Sequence, residues 1–467
     1  MTADSRTALQ ADVGIVGAGP GGMAAAVELA RQGLSVTILD EGMRAGGQIF
    51  RQLPEGCASP DYPEPPSHEQ GHVLLHDLGA SAVRVVNSAV VWDAEPGRLW
   101  FEHEGRSAEL TCRAIVLAPG AYDRFVPFPG WTLPGVISAG AAQVMVRGFG
   151  VQPGQRALVA GTGPLLLPTV TALLSVGVEV VGALEAAPRS AMLRALPGVL
   201  RSGARLREAW YYGRQLMRRG VRLQWGQTIF AAEGDERVRR AVVGRVDRQG
   251  RPMRDTARTL EVDTVCAGFG LVPSVELAQR LGCEVEWNAV RGGWCVPVDA
   301  AMRTAVDSVY AVGEIAGIGG SEVAIAEGRL AAAAVLEALR QQPVPARTFA
   351  ARRSQRRAAD SMLRAFPVLP GLFDLADDET VVCRCEDVTV RELRDARSLY
   401  GSGARAIKMG CRAGMGPCQA RICGPNLQAC AQPDASRDLQ SDAPVVQVPV
   451  KPVRASTVLG AGDQQTV

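Results

Sequence analysis

A glycine-rich turn that ends one apolar run and opens a helical pattern occurs twice in this 467-residue chain, and the repetition limits the fold more than any other feature. The first copy is Gly17-Ala18-Gly19-Pro20-Gly21-Gly22, closing the run 12–17; the second is Gly161-Thr162-Gly163-Pro164-Leu165-Leu166, following Arg156–Ala160. In the first copy a helical pattern from Gly21 to Gln32 stops at Gly33, which suits a left-handed C-cap. A second apolar run, Ser35 to Leu39, ends in Asp40 and Glu41. Strand, turn, helix and strand in that order make one βαβ unit. Gly17 permits the tight turn, Gly19 lets the backbone approach a pyrophosphate, and Gly22 lets the helix pack on the strand. Pro20 sits where the helix begins, and the helix N-terminus faces the phosphates. Asp40 stands where a carboxylate accepts hydrogen bonds from an adenosine ribose.

The second copy predicts a helix from Pro164 to Val176 and a strand from Val178 to Leu184, ending in Glu185. It keeps Gly161 and Gly163 but has Leu166 at the third glycine position, which should push the helix off the strand. Pro168 disturbs the first helical turns. Glu185 disfavours a 2′-phosphate. Two readings stay open: NAD(H) or another adenine nucleotide held by Gly161, Gly163 and Glu185, or a vestigial fold.

The expected fold class is α/β, with two Rossmann-like dinucleotide-binding domains, one inserted in the other, and a small, mostly helical C-terminal domain. Residues 10–150 and 263–340 form the discontinuous first domain and 151–262 the insertion. Residues 341–379 read as a linker, 380–432 as a compact module and 433–467 as an extended tail. With 47% hydrophobic and 21% charged residues and a net charge of +2, the balance is that of a globular protein without a field toward nucleic acid. The most apolar stretch, Leu165 to Leu184, is interrupted by Pro168, Gly177 and Glu179, so no transmembrane helix is expected. Residues 1–10 carry no signal pattern, and the expected location is cytoplasmic, with a peripheral position at the inner membrane as its variant.

Six of the eleven cysteines lie between residues 383 and 430. Cys383, Cys385, Cys418 and Cys423 give the four thiolates of a [2Fe–2S] cluster. Cys383 and Cys385, two apart in an extended segment, should share a face. Thr389 to Glu392 reads as a capping box. Gly414 to Cys418 reads as a glycine loop entering a helix with Pro417 near its first position, which would set Cys418 in the positive end of the helix dipole. Cys411 is a fifth candidate ligand, and structural zinc is the alternative occupant. Cys57, Cys112, Cys266, Cys283 and Cys295 read as structural thiols. His68, His72 and His76, spaced by four, read as a surface helix face rather than a metal site. No catalytic residue and no substrate base stand out.

Gly46-Gly47-Gln48, Ala118-Pro119-Gly120 and Val309 to Gly313-Glu314 extend the pattern. Together with the first glycine turn they resemble the two-dinucleotide-domain flavin reductases over residues 10–340. The resemblance implies FAD held by Gly17, Gly19, Pro20, Gly22, Asp40, Glu41, Gly47, Gln48, Gly120, Gly313 and Glu314. Glu314 replaces the aspartate of that family, and Gly120 is also explained as a loop glycine. Residues 1–340 hold no C-x-x-C or C-x₄-C pair, so the disulfide chemistry of the fold is not expected. The cysteine spacing resembles the bacterioferritin-associated ferredoxin module.

Taken together with Pro134-Gly135-Val136, Gly268 to Pro273, Cys383-Arg384-Cys385-Glu386 and Gly414 to Gln419, the chain resembles a narrower family. It comprises the α subunits of opine oxidases, D-hydroxyproline dehydrogenases, hydrogen cyanide synthase and archaeal L-proline dehydrogenases, with the sarcosine oxidase α chain as a relative. The resemblance implies a hetero-oligomer in which a flavoprotein β subunit oxidises a C–N bond. A small ferredoxin-like γ subunit sometimes joins it. This chain would receive the electrons and pass them on. Two other readings are a self-contained NADH-dependent ferredoxin or rubredoxin reductase and a non-catalytic nucleotide-binding assembly subunit.

Overall fold

The structure is a computed structural model, and it describes residues 8–54, 56, 64–200, 203–432, 440 and 442–462. Strand β1 (Ala8–Val16), helix α1 (Pro20–Arg31), strand β2 (Val36–Leu39), helix α2 (His68–Gly79) and strand β3 (Arg84–Val86) begin the first sheet. Strands β4 (Val90–Glu95), β5 (Arg98–His103) and β6 (Arg106–Leu117) follow. The order is β3-β2-β1-β6-β5-β4, parallel among β3, β2, β1 and β6, with the β4–β5 hairpin antiparallel on the flank. The sequence of β6 shows why one strand serves both halves. Its first residues alternate between buried and accessible, as a half-covered strand requires. Its last four, Ala114 to Leu117, are all buried beside parallel neighbours.

From this sheet β7 (Ala121–Asp123) crosses to a second body. That body is built from β8 (Val136–Ser138), α3 (Ala139–Gln143), β9 (Arg156–Gly161), α4 (Leu166–Ser175), β10 (Glu179–Glu185), α5 (Ser190–Leu200), α6 (Gly203–Arg218) and β11 (Leu223–Trp225). An antiparallel meander, β12 (Gln227–Glu233), β13 (Arg240–Val246) and β14 (Pro252–Glu261), covers it, and β15 (Thr264–Gly268) completes it. The second sheet runs β11-β10-β9-β15-β8, all parallel. Strands β8 and β15 fall outside residues 151–262, so chain from both sides of those limits enters this sheet. The chain returns through β16 (Leu271–Pro273), antiparallel to β7. Helix α7 (Glu276–Arg280) and strands β17 (Glu286–Asn288), β18 (Gly293–Cys295) and β19 (Val309–Ala311) follow, and β19 pairs with β6. Helix α8 (Ser321–Arg340) then lies on α1. Their backbones approach closely: a side chain on Gly328 would meet the Gly21 carbonyl oxygen at 2.2 Å.

The segment 341–379, expected as a linker, is instead mostly ordered as α9 (Ala346–Ala365) and a 3-10 turn, Pro370–Leu375. Its sequence from Ala346 to Ala365 has no Gly or Pro and is rich in Ala and Arg, both strong helix formers, with Pro345 at the N-cap. The composition that suggests a linker is therefore a helical one. Helix α9 packs on α8 and α5.

The cysteine-bearing module contains β20 (Val381–Cys383), β21 (Val388–Thr389), α10 (Val390–Tyr400), α11 (Ala404–Cys411) and α12 (Gly424–Ala431). The capping box forms: Thr389 and Glu392 satisfy each other's backbone N–H groups at the start of α10. This module does not stand apart. Leu158, Phe230 and Val243 of the second body share one buried core with Val382, Leu393 and Leu427. The tail also packs: Val450 is buried, its N–H donating to the Trp92 carbonyl at 2.8 Å, before α13 (Ala455–Gly462). Among the described residues no helix is long and apolar enough to cross a membrane, and Leu165–Leu184 divides between α4 and β10.

Candidate functional site

The first glycine turn sits at the carboxyl end of β1, between parallel strands, where α/β sheets open a crevice. Gly17 has a φ of +100°, and a Cβ there would meet the Ala118 carbonyl oxygen at 2.2 Å. A Cβ on Gly22 would meet the Gly17 carbonyl oxygen at 1.9 Å, while one on Gly19 would meet nothing within 4 Å. The outer glycines are packed solid and the middle one faces open space, as a pyrophosphate cradle requires. Gly47, with φ at +61°, closes on it: a Cβ there would lie 2.7 Å from Gly19 Cα. Pro20 occupies the first turn of α1. The Asp40 carboxylate accepts from the Ala18 N–H at 2.5 Å and the Gly42 N–H at 2.7 Å, and burial raises its pKa despite these bonds. Glu41 pairs with Lys451 of the tail. Gln48 accepts from Arg51.

Arg51 and Asp123 carry no motif signal, and sequence reasoning misses them. Burial lowers the Arg51 guanidinium to about 10, opposed by the charge of Asp123 on β7. Asp123 accepts from the Ser138 hydroxyl and, at 3.1 Å, from the Gly140 N–H. Gly120 (φ +80°) is open to its surroundings, like Gly19.

The late Gly-acid pair is held by bonds within its own loop and to α8. The Gly313 N–H donates to Glu327 at 2.9 Å, and Glu314 turns back to accept from Gly319 and Gly320, each at 2.9 Å. Glu327, fully buried on α8, is the missed residue here. It pairs with Arg356 at 2.9 Å, and Arg356 donates to the Gly317 and Ile318 carbonyls. Helix α9 thus clamps the loop between β19 and α8, a tertiary arrangement with no local signature.

The second glycine turn has the same outline and a different interior. A Cβ on Gly161 would meet the Gly268 carbonyl oxygen at 1.7 Å. Glu185 is buried at the end of β10. It accepts from the Thr162 hydroxyl at 2.8 Å, the Gly163 N–H at 2.9 Å and the Ala187 N–H at 2.8 Å. Burial outweighs those bonds and raises its pKa to about 7. Both carboxylate oxygens are therefore engaged within the turn. Phe366, capping α9, lies over Gly163: a Cβ on that glycine would be 4.0 Å from Phe366 Cβ. The Phe366 ring stacks on Trp225 of β11 with centroids 6.3 Å apart. Leu166 begins α4 as a buried core residue, accommodated beside Gly268.

The four cysteines singled out by spacing line one cavity of about 160 Å³, with Phe125, Trp131, Arg384 and Ile422. Local structure differs from expectation in two places. β20 ends at Cys383, so Cys385 lies in the tight turn to β21 rather than in an extended strand. No helix starts at Pro417: Gln419 and Ala420 take left-handed φ values of 51° and 67°, and α12 begins only at Gly424. The residue at that helix start is Cys423, not Cys418. The glycines explain the approach. A Cβ on Gly416 would lie 2.2 Å from Cys385 Cβ, and the Gly414 N–H donates to Cys383 Sγ at 3.4 Å.

Hydrogen bonds from Cys423 lower the Cys383 thiol to about 6 and the Cys418 thiol to about 5, while Cys423 itself is raised by those same bonds. Burial raises Cys385. Cys411 donates to the Ile407 carbonyl of its own helix at 3.3 Å and does not line the cavity. The four thiols share a cavity, yet among the described residues no three His, Cys, Asp or Glu side chains stand where they could hold a single metal ion.

His68, His72 and His76 do share α2, with His68 buried, its pKa pulled to about 4 chiefly by burial, and His72 bonded to Glu64 at 2.6 Å. Cys112, Cys266, Cys283 and Cys295 are buried free thiols, and Cys57 lies outside the described residues.

Residues 11–338 match the model of the pyridine nucleotide-disulphide oxidoreductase family. The chain is 33% identical to an opine oxidase subunit of Agrobacterium tumefaciens, covering 95% of this chain and 90% of that protein. It is 31% identical to the HcnB subunit of hydrogen cyanide synthase from Pseudomonas aeruginosa, covering 88% and 90% respectively. Its fold is similar to the crystal structure of L-proline dehydrogenase from P. horikoshii, with a TM-score of 0.69 and 19% identity over 97% of this chain and 80% of that one.

Proposed function

The chain belongs to the pyridine nucleotide-disulphide oxidoreductase family, in the group that holds subunits of opine oxidase and of hydrogen cyanide synthase, and from that premise we propose that it is the electron-transferring subunit of a heteromeric dehydrogenase. The complex oxidises the C–N bond of an amino acid, imino acid or opine, and the substrate is oxidised on a partner flavoprotein subunit. A small ferredoxin-like subunit is a further candidate member.

The observation that carries this reading is the joining of two prepared sites by one stretch of chain. Residues 118–131 run from the open glycine cradle, at Ala118 and Gly120, to Phe125 and Trp131 in the wall of the cysteine cavity. Bound FAD would accept an electron pair and release it singly, and a bound [2Fe–2S] cluster would carry single electrons. Gly17, Gly19, Gly22 and Gly47 shape the backbone around a pyrophosphate, and Asp40 keeps lone pairs free for a ribose beyond its two backbone bonds. Gly313 and Gly120 would be further contacts of the same cofactor. Cys383, Cys385, Cys418 and Cys423 would hold the cluster, since all four thiols line one cavity. A two-iron cluster spreads four thiolates over two metal centres, whereas zinc needs its sulfurs about one ion. Phe125 and Trp131 give the cavity an aromatic wall.

At the second turn Glu185 already accepts from Thr162, Gly163 and Ala187, whereas a self-contained NADH-dependent reductase needs that carboxylate available to a nucleotide. The test is native purification with flavin, iron and sulfide analysis and identification of the co-purifying chains. The assembled complex is expected to reduce dye with an amino acid or opine, and the isolated chain is not. Substrate-dependent dye reduction by the isolated chain would overturn the assignment, and bleaching of its flavin by NADH would favour the reductase.

A further inference from the structure

Helix α5 is built inside out. Its small residues, Ala191, Ala195 and Gly198, are buried, and Gly198 seats so closely on α9 that a Cβ would lie 2.7 Å from the Ala358 carbonyl oxygen. Its large apolar residues point the other way: Met192 is 58% exposed, Leu193 72%, Leu196 45% and Leu200 61%. The neighbouring α6 repeats the arrangement. Leu206, Trp210 and Met217, at helical spacing, are exposed on one face, with Trp210 at 64%. Arginines flank the stripe: Arg207, Arg214 and Arg218 are exposed, and the Arg214 guanidinium stands 5.1 Å from the Trp210 ring centre. Residues 186–222 contain nine arginines and one acid, Glu208, in a chain whose net charge is only +2.

From this we propose that the α5–α6 pair is a docking surface for an anionic lipid bilayer, lying in its interface rather than crossing it. The occupant follows from the chemistry of the face. A helix with Trp and Leu on one side and arginines beside them settles at the boundary of headgroups and acyl chains. Trp210 places an apolar ring with a polar N–H at that depth. The one-sided charge selects an anionic sheet, and exposed leucines give hydrophobic hold that an ion pair alone lacks. The placement would set the protein beside acceptors dissolved in the membrane. It depends on the surface alone and not on the assignment of cofactors.

The test is co-sedimentation of the full chain with vesicles of phosphatidylcholine alone or mixed with phosphatidylglycerol, at low and high salt. Binding to the mixed vesicles and little to the neutral ones is expected. Exchanging Arg207, Arg214 and Arg218 for Gln is expected to weaken binding to mixed vesicles about fivefold per arginine. Leu193→Ser with Leu200→Ser should abolish the fraction retained at high salt. Quenching by brominated lipid should fall in Trp210→Phe. Unchanged flavin content in each variant establishes that it has folded. Failure of the native chain to bind mixed vesicles would overturn the proposal. So would variants that bind them normally but no longer co-purify with their partner chain, which would make the face a contact between chains.

Discussion

The two glycine turns share their outline, strand, turn, helix and acid, and differ in what fills the space beyond the turn. At the first, the middle glycine faces open space and a second glycine loop folds over it. At the second, the acid is more deeply buried and also accepts from the turn's own Thr162 hydroxyl, a Cβ on Gly163 would lie 4.0 Å from Phe366 Cβ, and the sheet behind shares its core with the cysteine module. The contrast teaches that a dinucleotide motif records the backbone path and not the occupancy. Its outer glycines are needed to make the turn, whatever lies in the space beyond it. The second body is built as a platform, with α9 and the cysteine module resting on it.

The largest effect that would test the contrast is expected at Gly19. Because a Cβ there meets nothing within 4 Å, Gly19→Leu should fold normally yet lose its bound flavin, read from the visible spectrum and the thermal midpoint together. Retained stoichiometric flavin would dissolve the distinction. Gly163→Leu, the matching change in the second turn, should leave flavin content intact.

Next is the route out of the first module. If electrons leave through the cysteine cavity rather than the second turn, Cys418→Ser should remove iron and sulfide and depress dye reduction by the complex, with flavin retained. Cys411→Ser should leave the iron content unchanged, since that thiol is turned to Ile407. Iron lost from Cys411→Ser but not Cys418→Ser would redraw the ligand set, and zinc without iron would replace the cluster.

A smaller effect concerns Glu185. Its folded pKa, about 7, lies above its ordinary 4.5, so the folded state holds the proton more tightly than the unfolded chain does. The stabilisation is present below pH 4.5 and is lost as pH rises through about 7, a change of about 3 kcal/mol. Urea unfolding across that window should show the decline in the native protein and a flatter profile in Glu185→Gln. An identical slope in both would mean that the acid is not held as described. Smallest of all, Phe366→Ala should cost about 1 kcal/mol, since the ring is only half-buried. If the aromatic cover is what closes the second turn, that variant gains measurable adenine-nucleotide binding by calorimetry.

What the sequence discloses here is what local rules control. The first βαβ unit, the Gly33 stop and the Thr389–Glu392 box are set by residues a few positions apart, and all of them form. The start of α12 shows a local signal losing. Pro417 is well placed to open a helix, but the left-handed residues at 419 and 420 carry the chain through turns that bring Cys418 toward Cys423 and Cys385. Helix α9 stays hidden because its arginines and alanines also suit a linker. Glu327, Arg356 and Phe366 leave no trace, since each acts on residues far off in sequence. Nor does spacing reveal that Glu314 serves its own loop.

The crossing strands β7 and β16 have a mechanical consequence. In a two-bodied protein a single pair of strands is a natural axle, about which one half could swing against the other. Here the axle is splinted. Trp131 donates to the Val381 carbonyl at 2.6 Å, Asn426 to the Phe125 carbonyl at 2.6 Å, and Arg421 pairs with Glu276 at 3.2 Å just beyond β16. Any rotation would tear the cysteine module from its seat. The two bodies are therefore braced against each other by the cysteine module rather than hinged on β7 and β16.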